Sequence, residues 1–260
     1  NANFYYGYID FVGSQSLLGT GTVVFGNDNT RGSFNSLRVS QTGTTLTIGP
    51  NITVRGATGG IGYNANLGGV STVVVINQGT ISADLAGSGI TVNGTNWINQ
   101  GTIQAKSGGA FSLISTWTNT GTISAGAGGS AGSGNLSGTW SNSGALGAAS
   151  GGTLNLGGTW STSAGLTAPS STVNLSGVLN NAGASTTLAG GNWFLQGGSI
   201  GGGTLTETSG ARLYATGSGG TLDGVTLNGD LDLTNGGNQH VTVLNGLTLN
   251  GTASIGNASS

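Results

Sequence analysis

Apolar and polar residues alternate over short stretches along most of the chain, and most stretches end at Gly or Asn. Leu154, Leu156 and Trp160, for example, are each an even number of positions apart, with Asn, Gly or Thr between them. A period of two places such residues on one face of a β-strand. No segment shows the 3.6-residue period of a helix. The pattern predicts an all-β chain of many short strands joined by turns.

Leu113 and Trp117 share parity in the same way, but the parity breaks before Trp97. The apolar residues there, Ile90 and Val92, are even-numbered. We therefore expect a bulge or an extra loop residue just before Trp97.

A nine-residue phrase recurs six times, and its copies start about 20 residues apart. The copies are VINQGTISA from Val75, WINQGTIQA from Trp97, WTNTGTISA from Trp117, WSNSGALGA from Trp140, WSTSAGLTA from Trp160 and LNNAGASTT from Leu179. One unit cannot bury its apolar face, but stacked units can. We predict a single right-handed parallel β-helix (β-solenoid) of about 13 coils of about 20 residues, about 60 Å long at the usual strand spacing.

Three positions of the phrase carry specific predictions. Position one is an inward slot, so aromatic rings should stack along the axis at Trp97, Trp117, Trp140 and Trp160. Position three should form an amide ladder at Asn77, Asn99, Asn119, Asn142 and Asn181, with Thr162 in the remaining copy. Position five is Gly in every copy except at Ala164, which predicts a turn with positive φ.

Strand-like alternation continues outside the repeats, and no linker rich in Pro or charge interrupts it. We therefore expect residues 1–260 to form one continuous solenoid domain. The chain starts without Met or a signal peptide, and neither end offers a polar capping unit. These features predict a segment, or one super-repeat, of a longer fibrous protein whose units stack end to end.

Charge and composition narrow the possible partners. Only 5% of residues are charged and the net charge is −2, so no basic cluster is available to bind nucleic acid. No apolar run approaches the ~20 residues of a membrane span, so we expect no membrane insertion. The chain has no Cys, which removes disulfides and thiolate metal sites. At 35% hydrophobic, it is still too apolar for a disordered linker.

Several phrases, in their order along the chain, carry a resemblance. GTGTVVFG, TLTIGPNITVRG, INQGTI, GGTLNLGGTW and NGLTLNGTASIGN together resemble a long tandem unit of very large bacterial surface proteins. More broadly, the chain is similar to the β-helical stalks of filamentous haemagglutinins and autotransporter passengers. The resemblance implies a secreted or cell-surface location, a structural or adhesive role, and no catalytic residue.

A polysaccharide-active enzyme is an alternative, because β-helices also carry such activities. The best acidic group is Asp223, Asp230 and Asp232, of which the last two share one strand face. Calcium takes six to eight oxygen ligands, and two carboxylates fall short of that number. The basic residues are scattered and mostly far along the chain from any acid. We interpret the acids as a solvated outer face, and predict no metal and no cofactor.

Ser130 and Ser199 lie in G-x-S-x-G sequences, but His240 is the single histidine of the chain. The nucleophile motif requires a strand–turn–helix and a triad, so we predict that the chain is not an enzyme.

The chain begins with a cluster of aromatic residues, Phe4, Tyr5, Tyr6, Tyr8 and Phe11. They could stack on sugars, but we favour packing of a terminal coil or an interface. The expected partners are thus copies of the chain, or adjacent repeats, head to tail. An adhesin that binds glycans through loops or these aromatics is the alternative function.

Overall fold

The computed structural model describes residues 5–26, 32–149 and 151–256, and all statements below concern these residues. They form strands β1 to β32, numbered in chain order, and short 3-10 turns at Gly32–Phe34, Ala65–Leu67 and Ala127–Gly129. Paired strands run parallel, and most partners lie one turn of the chain apart. The predicted all-β parallel solenoid is confirmed.

Each turn of the chain contributes one strand to each of three columns, which we call columns A, B and C. Column A holds β1 (Tyr8–Phe11), β4 (Ser36–Val39), β7 (Gly59–Gly62), β10 (Gly89–Asn93), β13 (Ala110–Leu113), β16 (Ser133–Leu136), β19 (Thr153–Leu156), β22 (Thr172–Leu175), β25 (Asn192–Leu195), β28 (Arg212–Ala215), β30 (Leu231–Leu233) and β32 (Ala253–Ile255). Column B holds β2 (Gln15–Leu17), β5 (Thr45–Ile48), β8 (Val74–Asn77), β11 (Trp97–Asn99), β14 (Thr116–Asn119), β17 (Thr139–Asn142), β20 (Thr159–Thr162), β23 (Val178–Asn180) and β26 (Ser199–Gly201). Column C holds β3 (Gly21–Phe25), β6 (Ile52–Gly56), β9 (Thr80–Ala83), β12 (Thr102–Ala105), β15 (Thr122–Ala125), β18 (Ala145–Ala148), β21 (Leu166–Thr167), β24 (Ser185–Ala189) and β27 (Thr204–Thr208). The long strands β29 (Thr221–Asn228) and β31 (Thr242–Leu249) pass through columns B and C in the last two turns.

Column A marks twelve rungs of the solenoid among the described residues, so the predicted count of about 13 is slightly too high. The excess arises because the early turns are longer than the repeat. The register pairs Gly60 with Thr91 but Asn135 with Asn155, so the earlier of these turns is half as long again as the later one. Inserted loops such as the one around Ala65–Leu67 use up the additional length.

The core is the space between the three columns, and inward side chains fill it rung by rung. Phe111 shows how a large ring is accommodated: the paired inward position of the next rung is Gly134, where a β-carbon would collide with the ring. The parity break before Trp97 is a loop of three residues after β10, in which Asn96 has a φ of 55°. This loop confirms the expected additional residue.

The backbone hydrogen bonds also bear on the hand of the coil. Inward residues direct their carbonyl oxygens toward the following rung, as Asn77 does to the N–H of Gln100 and Leu113 to that of Ser137. For L-amino acids, an inward side chain combined with this carbonyl direction favours a right-handed coil. The right hand stays a prediction.

Candidate functional site

The interior of column B contains four indole rings in one stack. Trp97, Trp117, Trp140 and Trp160 occupy paired positions of successive rungs and are buried. Their ring centroids lie 5.1, 4.9 and 4.7 Å apart, with interplanar angles of 16°, 5° and 3°. Three of the rings donate an Nε1–H bond to a backbone carbonyl: Trp97 to Ile114, Trp117 to Ser137 and Trp140 to Gly157. The stack thus ties each rung to the next through both ring faces and polar edges.

The inner amide ladder runs beside this stack. The Nδ2 group of each Asn donates to the Oδ1 of the Asn one rung ahead, at 2.7 Å from Asn77 to Asn99, from Asn99 to Asn119 and from Asn119 to Asn142. The same Nδ2 groups also lie near backbone carbonyls, as Asn99 does to Gly101 and Thr122. Buried amides are costly unless they are hydrogen-bonded, and the ladder satisfies them rung by rung.

The ladder has two ends. At its C-terminal end, Asn142 donates to the hydroxyl of Thr162, which in turn donates to the carbonyl of Ala164. Asn181 does not continue it, because its Oδ1 accepts from Thr186 within its own turn. At the N-terminal end, the Oδ1 of Asn77 is buried and accepts no hydrogen bond from the described residues.

The glycines at position five of the phrase correct one expectation. Gly79, Gly101, Gly121 and Gly144 do not have a positive φ, although Gly183 does, with a φ of 71°. A β-carbon on Gly121 would collide with the carbonyl oxygen of Gly101, and the other three positions are equally close to backbone oxygens of the preceding turn. Glycine is required there by the close approach of adjacent turns.

The two ends of the solenoid carry most of its exposed apolar surface. Of the twelve large hydrophobic residues that are exposed in the described part of the chain, ten lie before β4 or after β30. At the N-terminal end, Ile9 is 50% exposed although its partner in the next rung, Leu37, is buried. At the C-terminal end, Val243 is 45% exposed over the buried Leu222, and Ile255 is 80% exposed. Ile9, Val243 and Ile255 occupy inward positions that no further rung of the described residues covers.

The predicted aromatic interface lies at the N-terminal end. The ring centroids of Tyr6 and Phe34 are 5.1 Å apart, and the guanidinium of Arg38 lies 5.6 Å from the centroid of the Tyr8 ring. Phe11 is half-buried against the core, and Tyr5 is exposed. Phe4 lies outside the described residues. An open cleft of about 390 Å³ adjoins this cluster, lined by Tyr8, Ile9, Val23, Phe25 and Leu37 among others.

The acidic residues are not the simple solvated face that we expected. Asp230 and Asp232 both bind Arg212, at 3.2 and 3.1 Å, whereas Asp223 lies on column B and accepts a hydrogen bond from Asn245. Residues that are one turn apart along the chain become neighbours in space. For the same reason Arg38 pairs with Asp10, and Arg55 with Asp84.

Glu207 belongs to the same C-terminal cluster, and sequence reasoning missed it. Its carboxylate accepts backbone N–H bonds from Leu213 at 2.6 Å and from Asp230 at 2.8 Å. Burial raises the pKa of Glu207, although these two bonds oppose the shift. For Asp232, burial also acts to raise the pKa, but hydrogen bonds from Thr234 and Arg212 outweigh it and hold the pKa below its usual value. Both acids connect strands rather than face a cavity.

The residues of the nucleophile-like sequences are not brought together. The hydroxyl of Ser130 accepts from the N–H of Ser107 and donates to the carbonyl of Ala127, and Nδ1 of His240 bonds to the carbonyl of Asn238. No hydrogen bond joins Ser130 or Ser199 to His240 in the part of the chain that is described. Nor does this part bring three His, Asp or Glu side chains close enough to hold a metal ion.

The chain was compared with protein-family models, curated proteins and solved structures, and nothing matches it in any of the three. The repeated coils of the structure support the resemblance to haemagglutinin and autotransporter stalks only at the level of a β-solenoid, and no family match supports a closer assignment. Among the described residues, no helix has the length and hydropathy needed to cross a bilayer.

Proposed function

We propose that the chain is a structural rod segment of a secreted or cell-surface bacterial protein, and that it lengthens by stacking its first rung on the last rung of a neighbour. The neighbour is another copy or the adjacent repeat of a longer chain. One observation carries the proposal: inward positions at both ends of the described solenoid hold apolar side chains that no rung of the described residues covers. Such contacts are head to tail and generate open filaments.

The two ends are complementary in kind. Continuing the column A register by one rung would place Ile255 over Ile9 of the neighbour, and apolar residues of β31 such as Val243 and Leu247 would face its first column B and column C strands. Within the described residues, the outermost strands at both ends also have one unpaired edge, and unpaired parallel edges template further pairing. The extracellular location rests on the resemblance of the repeated phrases, and the absence of catalysis stays a prediction.

The test uses charge at the open end and a matched control on the side of the rod. Val243→Asp alters an inward residue of the last rung, whereas Val178→Asp alters an outward residue that is 41% exposed at mid-rod. We expect the wild-type chain and Val178→Asp to form thin filaments with an axial repeat of roughly 60 Å by electron microscopy, since twelve rungs stack at the strand spacing. Val243→Asp should remain monomeric in sedimentation velocity. A wild-type chain that stays monomeric at high concentration would contradict the proposal.

A further inference from the structure

The outward face of column A changes character between β22 and β25. Three outward asparagines, Asn135, Asn155 and Asn174, form an outer amide ladder with two 2.7 Å hydrogen bonds. The next two positions in the same register are Phe194 and Tyr214. Their rings stack with a centroid distance of 5.2 Å and an interplanar angle of 26°, and both side chains are half-buried.

The core does not require these two rings. The inward residues of the same strands, Trp193, Leu195 and Leu213, already fill the interior and are buried. Earlier rungs show that Asn serves the outward position equally well in this register. The two stacked rings instead form an apolar strip two rungs long, parallel to the rod axis, on an otherwise polar face.

Polar groups frame this strip at both ends. Asn174 precedes Phe194 in the register. Its Nδ2 group donates to the Oδ1 of Asn155, whereas its own Oδ1 has no ladder donor, because the next position in the register is Phe194 and not an asparagine. Asp232 follows Tyr214 in the register and is held by Arg212. The Arg212 guanidinium also binds Asp230, so two carboxylates pair with this one cation.

We propose that this strip, formed by Phe194 and Tyr214 between Asn174 and the Arg212 cluster, binds a neutral carbohydrate chain lying along the rod. A sugar ring has an apolar C–H face, which can pack against the exposed parts of the two rings, and a rim of hydroxyls that both donate and accept hydrogen bonds. The amide of Asn174 and the exposed side chains of Arg212 and Asp230, at the two ends of the strip, match that rim, whereas Asp232 is buried and already bonded to Arg212 and Thr234. The binding is independent of end-to-end stacking, because the strip lies on the side of the rod.

Charge separates this ligand from the other candidates. A single-stranded nucleic acid also stacks on aromatic rings, but it requires a positively charged groove. An acidic polysaccharide would face the same difficulty, since Asp230 and Asp232 already neutralise Arg212 and leave a net negative charge. A neutral glycan meets no such repulsion.

The experiment compares a strip variant with an aromatic control. Phe194→Asn combined with Tyr214→Asn continues the outer amide ladder, and Tyr6→Asn combined with Tyr8→Asn removes the same number of rings at the N-terminal end. Binding is measured by depletion on insoluble cellulose, chitin and xylan and by affinity electrophoresis in soluble dextran and glucomannan, with polygalacturonate and poly(U) as charged probes.

We expect the wild-type chain and the Tyr6/Tyr8 variant to bind at least one neutral polysaccharide. The affinity of the strip variant for the same polysaccharide should be lower by roughly tenfold or more, because the aromatic contact with the sugar is lost. The thermal midpoint of the strip variant should be unchanged. Three results would overturn the proposal: no neutral polysaccharide bound by the wild type, equal binding by the strip variant, or binding of the charged probes alone.

If the strip variant is destabilised, the single variant Phe194→Asn decides by the same criteria. Sedimentation of the same samples tests rod assembly separately, so either proposal can fail alone.

Discussion

The middle of the solenoid and its two ends join neighbouring rungs in different ways. Between Val73 and Thr167 the turns are regular, and identical residues meet: Trp on Trp and Asn on Asn, with Ile or Leu beside them. At the N-terminal end the turns are longer, and the rungs are joined by unlike partners, such as Arg38 with Asp10 and with the Tyr8 ring. At the C-terminal end, apolar inward residues such as Val243 and Ile255 have no partner in a further rung of the described residues.

The difference shows what a constant turn length achieves. When successive turns differ by at most a few residues, each side chain lies over its own equivalent, and stacking or a ladder follows from one residue repeated many times. When turns vary, equivalent positions are lost, and each contact between rungs needs its own pair of residues. In the middle, each rung therefore complements a copy of itself. At the ends, the contacts between rungs depend on the particular residues of the neighbouring rung.

The largest contrast should come from the Trp stack. Trp140→Ala removes a buried ring between two others, and the cavity should cost about 3–5 kcal/mol of the free energy of unfolding. Val243→Ala at the open end should cost roughly 0.5 kcal/mol or less, because that side chain is half-exposed. Urea denaturation followed by circular dichroism, at a protein concentration where the chain is monomeric, measures both. Equal costs would show that the stack contributes no more than the ends.

Close approach between turns gives the next prediction. Gly121→Ala should destabilise the middle by about 1–3 kcal/mol, because the new methyl group collides with the carbonyl of Gly101. The matched control is Gly7→Ala in the first rung, where a β-carbon meets nothing within 4 Å and φ is not positive. The difference in urea midpoint between the two variants is the readout. A neutral Gly121→Ala would refute close approach as the reason for glycine there.

The inner ladder should be more sensitive than the outer one. Asn119→Ala leaves the Nδ2 group of Asn99 without its ladder acceptor, and should cost about 1–3 kcal/mol. Asn155→Ala breaks both bonds of the outer ladder, but water can replace them, so its cost should be roughly 0.5 kcal/mol or less. Thermal unfolding of the two variants compares the ladders directly. Similar losses would mean that burial does not strengthen the inner ladder.

The smallest effect concerns pH at the C-terminal end. Because the folded-state pKa of Asp232 is lowered, its stabilisation is present above about pH 4, its unfolded pKa, and is lost as the pH falls through the folded value. Asp232→Asn should therefore lose less stability on acidification than the wild type. The folded-state pKa of Glu207 is raised, so ionisation of this group lowers stability as the pH rises from about 4.3 through its folded value.

Glu207→Gln should consequently change the slope of stability against pH in the opposite direction to Asp232→Asn. Thermal midpoints of the three proteins between about pH 2 and pH 7 test this pair. Parallel curves for the wild type and both variants would show that neither carboxyl group couples folding to protonation.

Part of the site was predictable and part was not. The Trp stack and most of the amide ladder follow from residues that recur at one position of a regular phrase. Asn181 occupies that position too, but the structure bonds it to Thr186 instead. The ion pairs of Arg212 were missed because Asp230 and Asp232 are 18 and 20 residues away along the chain. In this solenoid, residues separated by that distance along the chain lie one turn apart, in adjacent rungs, and can therefore be in contact.

The sequence by itself determined the kind of fold, since a two-residue alternation and a repeat of about 20 residues can bury apolar faces only by stacking. It also determined which residues fill the inner columns of the middle. Only the tertiary structure decided why Gly121 must be glycine, how Glu207 bridges two strands, and that Phe194 meets Tyr214 on the outer face. These contacts depend on the length of each individual turn, because turn length sets the register between rungs. The local alternation of apolar and polar residues does not determine that register.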